Sequence, residues 1–183
     1  MAGGTRPPKV TAIQMNRAPV LTLWASVVAE HLGFDHNEAL TLGRAVAGLN
    51  AYSKGVRLGL FTPSAPRNVK ERKQALKHGE TLQVDLLGRA VPATATRDGI
   101  RALSKDQPIP PESVARYLDG KFGDALADAR IAMESLAASV PSERLAGEAF
   151  HLYEKFRPEV PSGVKGWGAK GTFDIGRILD LAK

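Results

Sequence analysis

The sequence contains no cysteine, and this excludes several kinds of site at once. Disulfide bonds, thiolate metal centres and cysteine nucleophiles all need a thiol that the chain does not have. A composition without cysteine is also what we expect of a protein from a reducing compartment. With 183 residues, the chain is long enough to bury a hydrophobic core that needs no covalent or metal cross-link.

Long apolar runs are missing as well. No run of apolar residues approaches the roughly 20 that a membrane-spanning helix needs. The opening stretch MAGGTRPPKVTAIQM lacks the apolar core of a signal peptide. We therefore expect a cytoplasmic protein with no membrane partner. Hydrophobic residues make up 43% of the chain and charged residues 24%, which is typical of globular proteins.

The sequence also lacks the motifs of common catalytic sites. There is no G-x-S-x-G string, so the strand–turn–helix that presents a nucleophilic serine is not indicated. Asp124 and Asp128 lie four residues apart on a predicted helix, where a solvated face explains them better than an acid–base pair. A small-molecule enzyme is therefore the least favoured of three functional interpretations, and we predict no catalytic residue and no cofactor.

Histidine is scarce, and its four positions do not form a convincing metal site. His31 and His36 lie near Asp35 and Glu38, but both carboxylates fit the capping of a predicted helix better. The string Glu148-x-x-His151 is half of the di-metal pattern of helical bundles, and no second Glu-x-x-His occurs. We therefore predict no bound metal, with His151 paired to a neighbouring glutamate on the surface.

What the sequence does have is positive charge, concentrated in one part of the chain. The formal net charge is +6. Residues 1–80 hold 11 Lys and Arg against 5 Asp and Glu, whereas residues 81–183 hold 14 of each. Residues 54–78, here called the basic segment, oppose Glu71 with seven cations: Lys54, Arg57, Arg67, Lys70, Arg72, Lys73 and Lys77.

Clustered cations of this kind favour a polyanionic partner. Lys and Arg side chains release the counterions that condense on nucleic-acid phosphates, whatever the base sequence. Only Phe61 is interleaved with the charges, so stacking on single-stranded bases is poorly supported. A solvated basic face without a partner is the alternative. The seven cations are our predicted nucleic-acid-binding residues.

Apolar periodicity predicts a helical N-terminal half after an arm at residues 1–18. A first helix begins near Pro19 and ends at Gly33, and a second begins with Asp35 and Glu38 and runs to about Tyr52. This pair of helices resembles a DNA-binding helix-turn-helix over Trp24–Leu49. An ordinary helical hairpin of the core is the competing interpretation.

The middle of the chain changes to a period of two, and the C-terminal part returns to helix. Alternation over residues 82–86, 90–96 and 100–103 predicts an antiparallel meander, with Asp98-Gly99 as a hairpin turn. Pro92 is expected at a strand edge or a bulge. Helices follow from Pro111 onward, the last one capped by Asp174.

The Gly-rich stretch GVKGWGAKGT, residues 163–172, contains the spacing G-x-G-x-x-G. That spacing cradles a pyrophosphate only inside a strand–turn–helix–strand unit, and only 12 residues follow Gly171. We interpret the stretch as a turn in which Trp167 is a structural anchor in the core. Lys165 and Lys170 are retained as possible secondary contacts to an anion.

The sequence therefore predicts a mainly α fold of five to seven helices with one small antiparallel β-meander, an α+β fold of the small-sheet kind with a helix-turn-helix-like N-terminal half. Its predicted divisions are the arm at 1–18, a basic helical hairpin plus meander at 19–103, and a helical subdomain at 104–183 that can be one domain with the preceding part. The expected function is a non-enzymatic, nucleic-acid-associated protein that binds DNA mainly through phosphates. The alternative is a protein-interaction module that forms a homo-oligomer through helices in 122–157.

Overall fold

The computed structural model describes residues 12–51, 81–159 and 170–183, and the account below covers those ranges. Helices and strands are mixed along the chain. In chain order they are β1 (Ala12–Asn16), α1 (Arg17–His31), α2 (His36–Ala51), β2 (Thr81–Leu86), β3 (Arg89–Thr96), β4 (Gly99–Ser104), β5 (Gln107–Pro108), α3 (Pro111–Phe122), a short 3-10 helix (Gly123–Ala125), α4 (Leu126–Ala138), α5 (Ser142–Phe156), β6 (Lys170–Asp174) and α6 (Ile175–Leu181).

The fold is α+β, and the prediction of a mainly α protein with one small sheet is wrong. Two antiparallel sheets are present, one with the strand order β2-β3-β4-β5 and one formed by β1 and β6. Strands hold 25% of the described residues and helices 60%. The four-stranded sheet is the expected meander, and the two-stranded sheet is the part that the sequence did not indicate.

The unexpected sheet joins two short segments from opposite parts of the chain. Ala12 lies opposite Asp174 and Asn16 opposite Lys170, and the Gln14 side chain donates a 2.8 Å hydrogen bond to the Thr172 hydroxyl. Gly171 lies in β6 rather than in a loop. A Cβ atom at this position would overlap the backbone carbonyl of Glu159, so glycine is needed for close packing.

Helix α1 is the centre of the core. All residues from Pro19 to Ala29 are buried, as expected for a helix that is apolar on every side. Gly33 follows with a φ of +110°, which confirms the predicted stop. Helix α2 packs along α1 so closely that a Cβ atom at Gly43 would overlap the Thr22 carbonyl oxygen and lie 2.9 Å from the Ser26 amide nitrogen.

Helix α2 also covers the open edge of strand β4. The buried Glu38 carboxylate accepts a 2.9 Å hydrogen bond from the Asp35 amide, which confirms the predicted capping contact, and a 2.7 Å bond from the Ile100 amide. One turn later, the Thr41 hydroxyl accepts a 3.0 Å bond from the Ala102 amide. These two side chains satisfy amides that a sheet edge otherwise leaves exposed.

The meander follows its turn signals, with one difference at Pro92. Thr96 pairs with Gly99 around the predicted turn. Strand β3 is internal, with β2 and β4 on its two sides, although Pro92 was expected at a strand edge or a bulge. The pairing of β3 with β4 stops at Ala93, so the missing proline amide falls where the second neighbour is no longer paired.

The C-terminal helices close the core against α1. The indole of Trp24 is fully buried, donates a 2.8 Å hydrogen bond to the Ala149 carbonyl of α5, and meets the Phe156 ring edge-on at 5.3 Å. Asp174 caps α6 as predicted, because its side chain accepts a 2.9 Å bond from the Gly176 amide. Within the described ranges, none of the helices has the length and apolar character required to cross a bilayer.

Stability at high pH should depend on Tyr153 of α5. Burial raises the pKa of its phenol to about 12, and the nearby charges of Arg157 and Arg17 partly oppose this effect. Because the unfolded phenol ionises near pH 10, the unfolded chain binds fewer protons between about pH 10 and 12, and stability falls as the pH rises. The loss attributable to Tyr153 should reach about 2–3 kcal/mol at pH 12.

Urea unfolding of the protein and of Tyr153→Phe at pH 8, 10, 11 and 12 checks this expectation. The variant should lose less stability than the parent above pH 10. Tyr117→Phe is the matched control and should show a smaller difference, since burial raises the pKa of Tyr117 less. An identical pH dependence in the parent and in Tyr153→Phe would contradict the assignment.

Candidate functional site

The predicted nucleic-acid-binding residues lie outside the described residues. This holds for all seven cations, Lys54, Arg57, Arg67, Lys70, Arg72, Lys73 and Lys77, and also for Lys165 and Trp167. Lys170 is described: it is the exposed first residue of β6 and lies opposite Asn16. The arrangement and the role of the predicted cations therefore stay a prediction.

The histidine clusters do not form a metal site in the part of the chain that the structure describes. The His36 Nδ1 atom lies 2.7 Å from a Glu30 carboxylate oxygen at the junction of α1 and α2, while Glu38 is buried and occupied by backbone amides. On α5, His151 lies 3.9 Å from Glu154 at the surface, which confirms that it pairs with a neighbouring glutamate. In both cases, a nearby glutamate is the partner of the histidine.

Helix α2 is not exposed as a DNA-recognition helix has to be. Its residues are buried from Glu38 to Ala47 except for the half-buried Arg44, because α1 lies on one side and β4 on the other. Only the first residues, His36 and Asn37, are well exposed. The two helices form the helical hairpin of the core that was the alternative interpretation. The prediction of a helix-turn-helix-like N-terminal half is therefore wrong, as is the predicted fold class.

The same burial pattern identifies the most distinctive site in the described residues, a cleft beside Arg44. Helix α2 forms one wall, the turn between β4 and β5 the second, and the first turn of α3 the third. We call it the Arg44 cleft, and its volume is about 310 Å³. The lining residues are Arg44, Ser104, Gln107, Pro108, Ile109, Pro110, Ser113 and Val114.

The Arg44 guanidinium packs against an aromatic ring of α3. Its central carbon lies 4.6 Å from the centre of the Tyr117 ring, which is a cation–π contact with the next turn of α3. Burial raises the pKa of the Tyr117 phenol, and the positive charge of Arg44 partly opposes that rise. The contact positions the guanidinium beside the ring, and the planar fork of N–H groups of an arginine suits a planar acceptor.

Arg44 has no carboxylate partner in the described residues. Two other arginines in these ranges do have one: Arg144 pairs with Glu148 at 2.8 Å and Arg177 with Glu159 at 3.2 Å. No such pair involves Arg44, whose recorded contact is the aromatic ring. Among the described residues, Arg44 is therefore a half-buried guanidinium without an ion-pair partner.

The turn that forms the second wall has an uncommon backbone. Lys105 and Asp106 both have positive φ values, 50° and 64°, in the two-residue connection between β4 and β5. Glycine or asparagine usually occupies such positions, because a side chain there is disfavoured. The turn fixes Ser104 and Gln107 at the mouth of the cleft as the last pair before the strands end.

The Arg44 cleft is absent from the sequence-based list of sites. The pentapeptide LGRAV that contains Arg44 also occurs at residues 87–91, and we interpret this repetition as a coincidence. The signal that could have found it is the single arginine in an otherwise apolar or small stretch from Ala39 to Ala47. Its partners in the cleft come from sequence positions more than 50 residues away, and no local pattern links them.

Comparison with known proteins gives no family or neighbour from which a role could be transferred: no family model, no curated protein and no solved structure matches this chain. The functional argument therefore depends on the residues themselves.

Proposed function

We propose that the protein is a non-enzymatic, nucleic-acid-associated protein that contacts DNA phosphates through the basic segment. The observation that supports this is the division of charge between the described fold and the rest of the chain. The described ranges carry 15 Lys and Arg against 17 Asp and Glu. The other ranges carry 10 Lys and Arg against 2 Asp and Glu.

This division matters because a slightly acidic surface repels a polyanion. General attraction by the whole protein is weak, so the proposal concentrates phosphate binding on one stretch of sequence. If all seven cations of the basic segment neutralise phosphates, raising salt from 50 to 200 mM should weaken binding by about 10³–10⁴-fold. We also propose a cytoplasmic location for the protein, where nucleic acid is accessible.

The topology supports the proposal by fixing where the basic segment joins the fold. Helix α2 runs in the direction of β4, since Glu38 bonds to Ile100 and Thr41 to Ala102. Strand β2 has the same direction as β4 because both pair antiparallel with β3. Ala51 and Thr81 therefore lie at opposite ends of the sheet, about 20 Å apart along the helix axis.

Self-association through residues 122–157 is the alternative, and it stays a prediction. Helices α4 and α5 direct their large apolar side chains into the core, including Met133, Leu136, Leu145 and Phe156. Among the described residues, Ile131 is the one large apolar side chain that is exposed, at 50%. Sedimentation of the purified protein at two concentrations tests this alternative directly.

The decisive variant replaces Lys70, Arg72 and Lys73 together by alanine. Binding to a random-sequence DNA duplex should weaken, and the slope of log affinity against log salt should become shallower by up to about 2.7, because each lost phosphate contact removes about 0.9. Fluorescence anisotropy of a labelled duplex at four salt concentrations measures both quantities. An RNA duplex of the same sequence tests the preference for DNA.

The matched control removes three charges from the described fold instead. Arg116, Lys121 and Lys155 are exposed on α3 and α5, and their triple replacement by alanine should leave the slope nearly unchanged. Equal losses in the two triple variants would mean that net charge alone determines binding. A parent protein without a salt-sensitive anisotropy change would remove the proposal.

A further inference from the structure

We propose that the Arg44 cleft is a binding site for a small organic anion, a phosphomonoester or carboxylate with a compact apolar body. This inference is independent of the proposed nucleic-acid function, because the cleft and the basic segment share no residue. The site is formed by α2, the β4–β5 turn and α3, and no sequence motif predicts it.

The Arg44 guanidinium is half-buried and forms no ion pair with a carboxylate of the described residues. A half-buried guanidinium loses part of its hydration, and this loss is normally compensated by a carboxylate or by several carbonyl groups. Arg44 instead rests on the Tyr117 ring at 4.6 Å and has no ion-pair partner in the described ranges. An anion that enters the cleft would supply the missing partner, and a planar fork of N–H groups suits a carboxylate or phosphate in particular.

The walls of the cleft explain why the ligand should carry an apolar part. Ile109 and Val114 are buried at its base, and Pro108 and Pro110 form exposed apolar faces at its rim. A volume of about 310 Å³ is near the lower limit for small-molecule sites. It holds roughly ten non-hydrogen atoms if each occupies the space of a liquid water molecule, about 30 Å³. An inorganic ion would fill only part of it.

Polar groups at the mouth can orient the ligand. The Ser104 hydroxyl and the Gln107 amide lie on the strained turn, and both residues are exposed. The Ser113 hydroxyl donates a 2.7 Å bond to the Pro110 carbonyl, so the donors left for the anion at the mouth are the Ser104 hydroxyl and the Gln107 amide. The site thus has one fixed cation, apolar walls and a few polar groups, the usual composition of a small-molecule site.

The neighbouring charges limit how much negative charge the ligand should carry. Lys105 and Asp106 lie at the tip of the turn and Glu112 in the first turn of α3, all exposed and none paired with Arg44. The two acidic residues outweigh the lysine, so a polyphosphate should be repelled. A single phosphate or carboxylate group is therefore the favoured anionic part.

The test is an NMR titration of the full chain with phenyl phosphate, inorganic phosphate and phenol as probes. Phenyl phosphate should shift the amides of Ser104, Gln107 and Val114 in a saturable way. Inorganic phosphate should bind the same residues at least tenfold more weakly, because it leaves the apolar walls uncovered, and phenol should not saturate because it lacks the charge. Arg44→Gln should weaken phenyl phosphate binding at least tenfold.

Two further variants make the test independent of folding defects. Ser104→Tyr fills the mouth of the cleft without changing Arg44 and should also abolish binding. Arg116→Gln removes an exposed arginine elsewhere on α3 and should leave binding unchanged. The proposal is overturned if the parent protein shows no saturable shifts up to 50 mM phenyl phosphate, or if Arg44→Gln binds as well as the parent. Binding of the DNA duplex should be the same in Arg44→Gln and in the parent, so the two proposals can fail separately.

Discussion

Replacing Trp24 by alanine should cause the largest loss of stability of any single truncation considered in this protein. The indole is fully buried in the centre of the core, between α1 and α5. Truncation of a buried aromatic residue to alanine typically costs about 3–5 kcal/mol, because transfer free energy is lost and a cavity is left. A loss of this size is a large part of the 5–15 kcal/mol, or thereabouts, that stabilises most domains.

Two specific contacts disappear together with the apolar area. The indole N–H donates a 2.8 Å hydrogen bond to the Ala149 carbonyl, and the ring meets Phe156 edge-on with its centre 5.3 Å away. Both partners belong to α5, so the variant should weaken the attachment of that helix in particular. The melting temperature should fall by about 6–20 °C for a chain of this length.

Thermal and urea unfolding, followed by far-UV circular dichroism, measure the effect. Trp24→Phe is the informative comparison because it keeps a ring against Phe156 and removes the hydrogen bond to Ala149. It should cost about 1–3 kcal/mol, the usual penalty for leaving a buried polar group without its partner. If Trp24→Ala unfolds at the same urea concentration as the parent, the placement of Trp24 at the centre of the core is incorrect.

The local parts of the fold could be predicted from the sequence because their signals lie within a few residues of one another. The stop at Gly33, the capping contact of Glu38, the turn at Asp98-Gly99 and the cap at Asp174 all depend on neighbours in sequence. The end of α3 also has a local cause. Helix α3 is followed by Gly123, whose φ of +55° is a conformation that glycine adopts readily.

The two-stranded sheet could not be predicted, since its signal is divided between two distant segments. Strands β1 and β6 have five residues each and pair across more than 150 positions. A run of five residues is too short for its alternation to be distinguished from a loop. The glycine in β6 indicates a turn by propensity, although at Gly171 it is required by the approach of the Glu159 backbone.

The Arg44 cleft was unpredictable for a related reason. A cleft is a property of surfaces that come together, and its walls belong to three elements between residues 44 and 114. Counting charged residues along the sequence identifies the basic segment, because it holds seven cations, and does not distinguish a single arginine such as Arg44. Burial gives Arg44 its significance, because a half-buried charge without an ion-pair partner among the described residues is costly, and no count of charges along the sequence detects burial.

Replacing Gly43 by alanine should disrupt the contact between α1 and α2, although the same change usually stabilises a helix. Alanine is favoured over glycine in a helix interior by about 1 kcal/mol. At Gly43 this gain is outweighed, because the new Cβ atom would overlap the Thr22 carbonyl oxygen and lie 2.9 Å from the Ser26 amide nitrogen. These are backbone atoms, so no rotation of a side chain relieves the overlap.

Helix α1 cannot move away easily, since its residues from Pro19 to Ala29 are buried on all sides. Displacement of α1 would also disturb α4 and α5, which pack on it. Overpacking a tight core commonly costs about 1–3 kcal/mol, and we expect Gly43→Ala to lie at the upper end of that range. The loss should appear as a lower midpoint in urea with an unchanged slope.

Gly48 provides the matched control on the same helix. Apart from its own helix backbone, none of the described residues has a heavy atom within 4 Å of a Cβ atom placed there, so Gly48→Ala should gain about 0.5–1 kcal/mol from helix propensity alone. The two variants have the same composition and differ only in what the methyl group meets. Opposite shifts of the urea midpoint would establish the close approach of α1 and α2 at Gly43. Stabilisation by both variants would show that the helices are farther apart than described here.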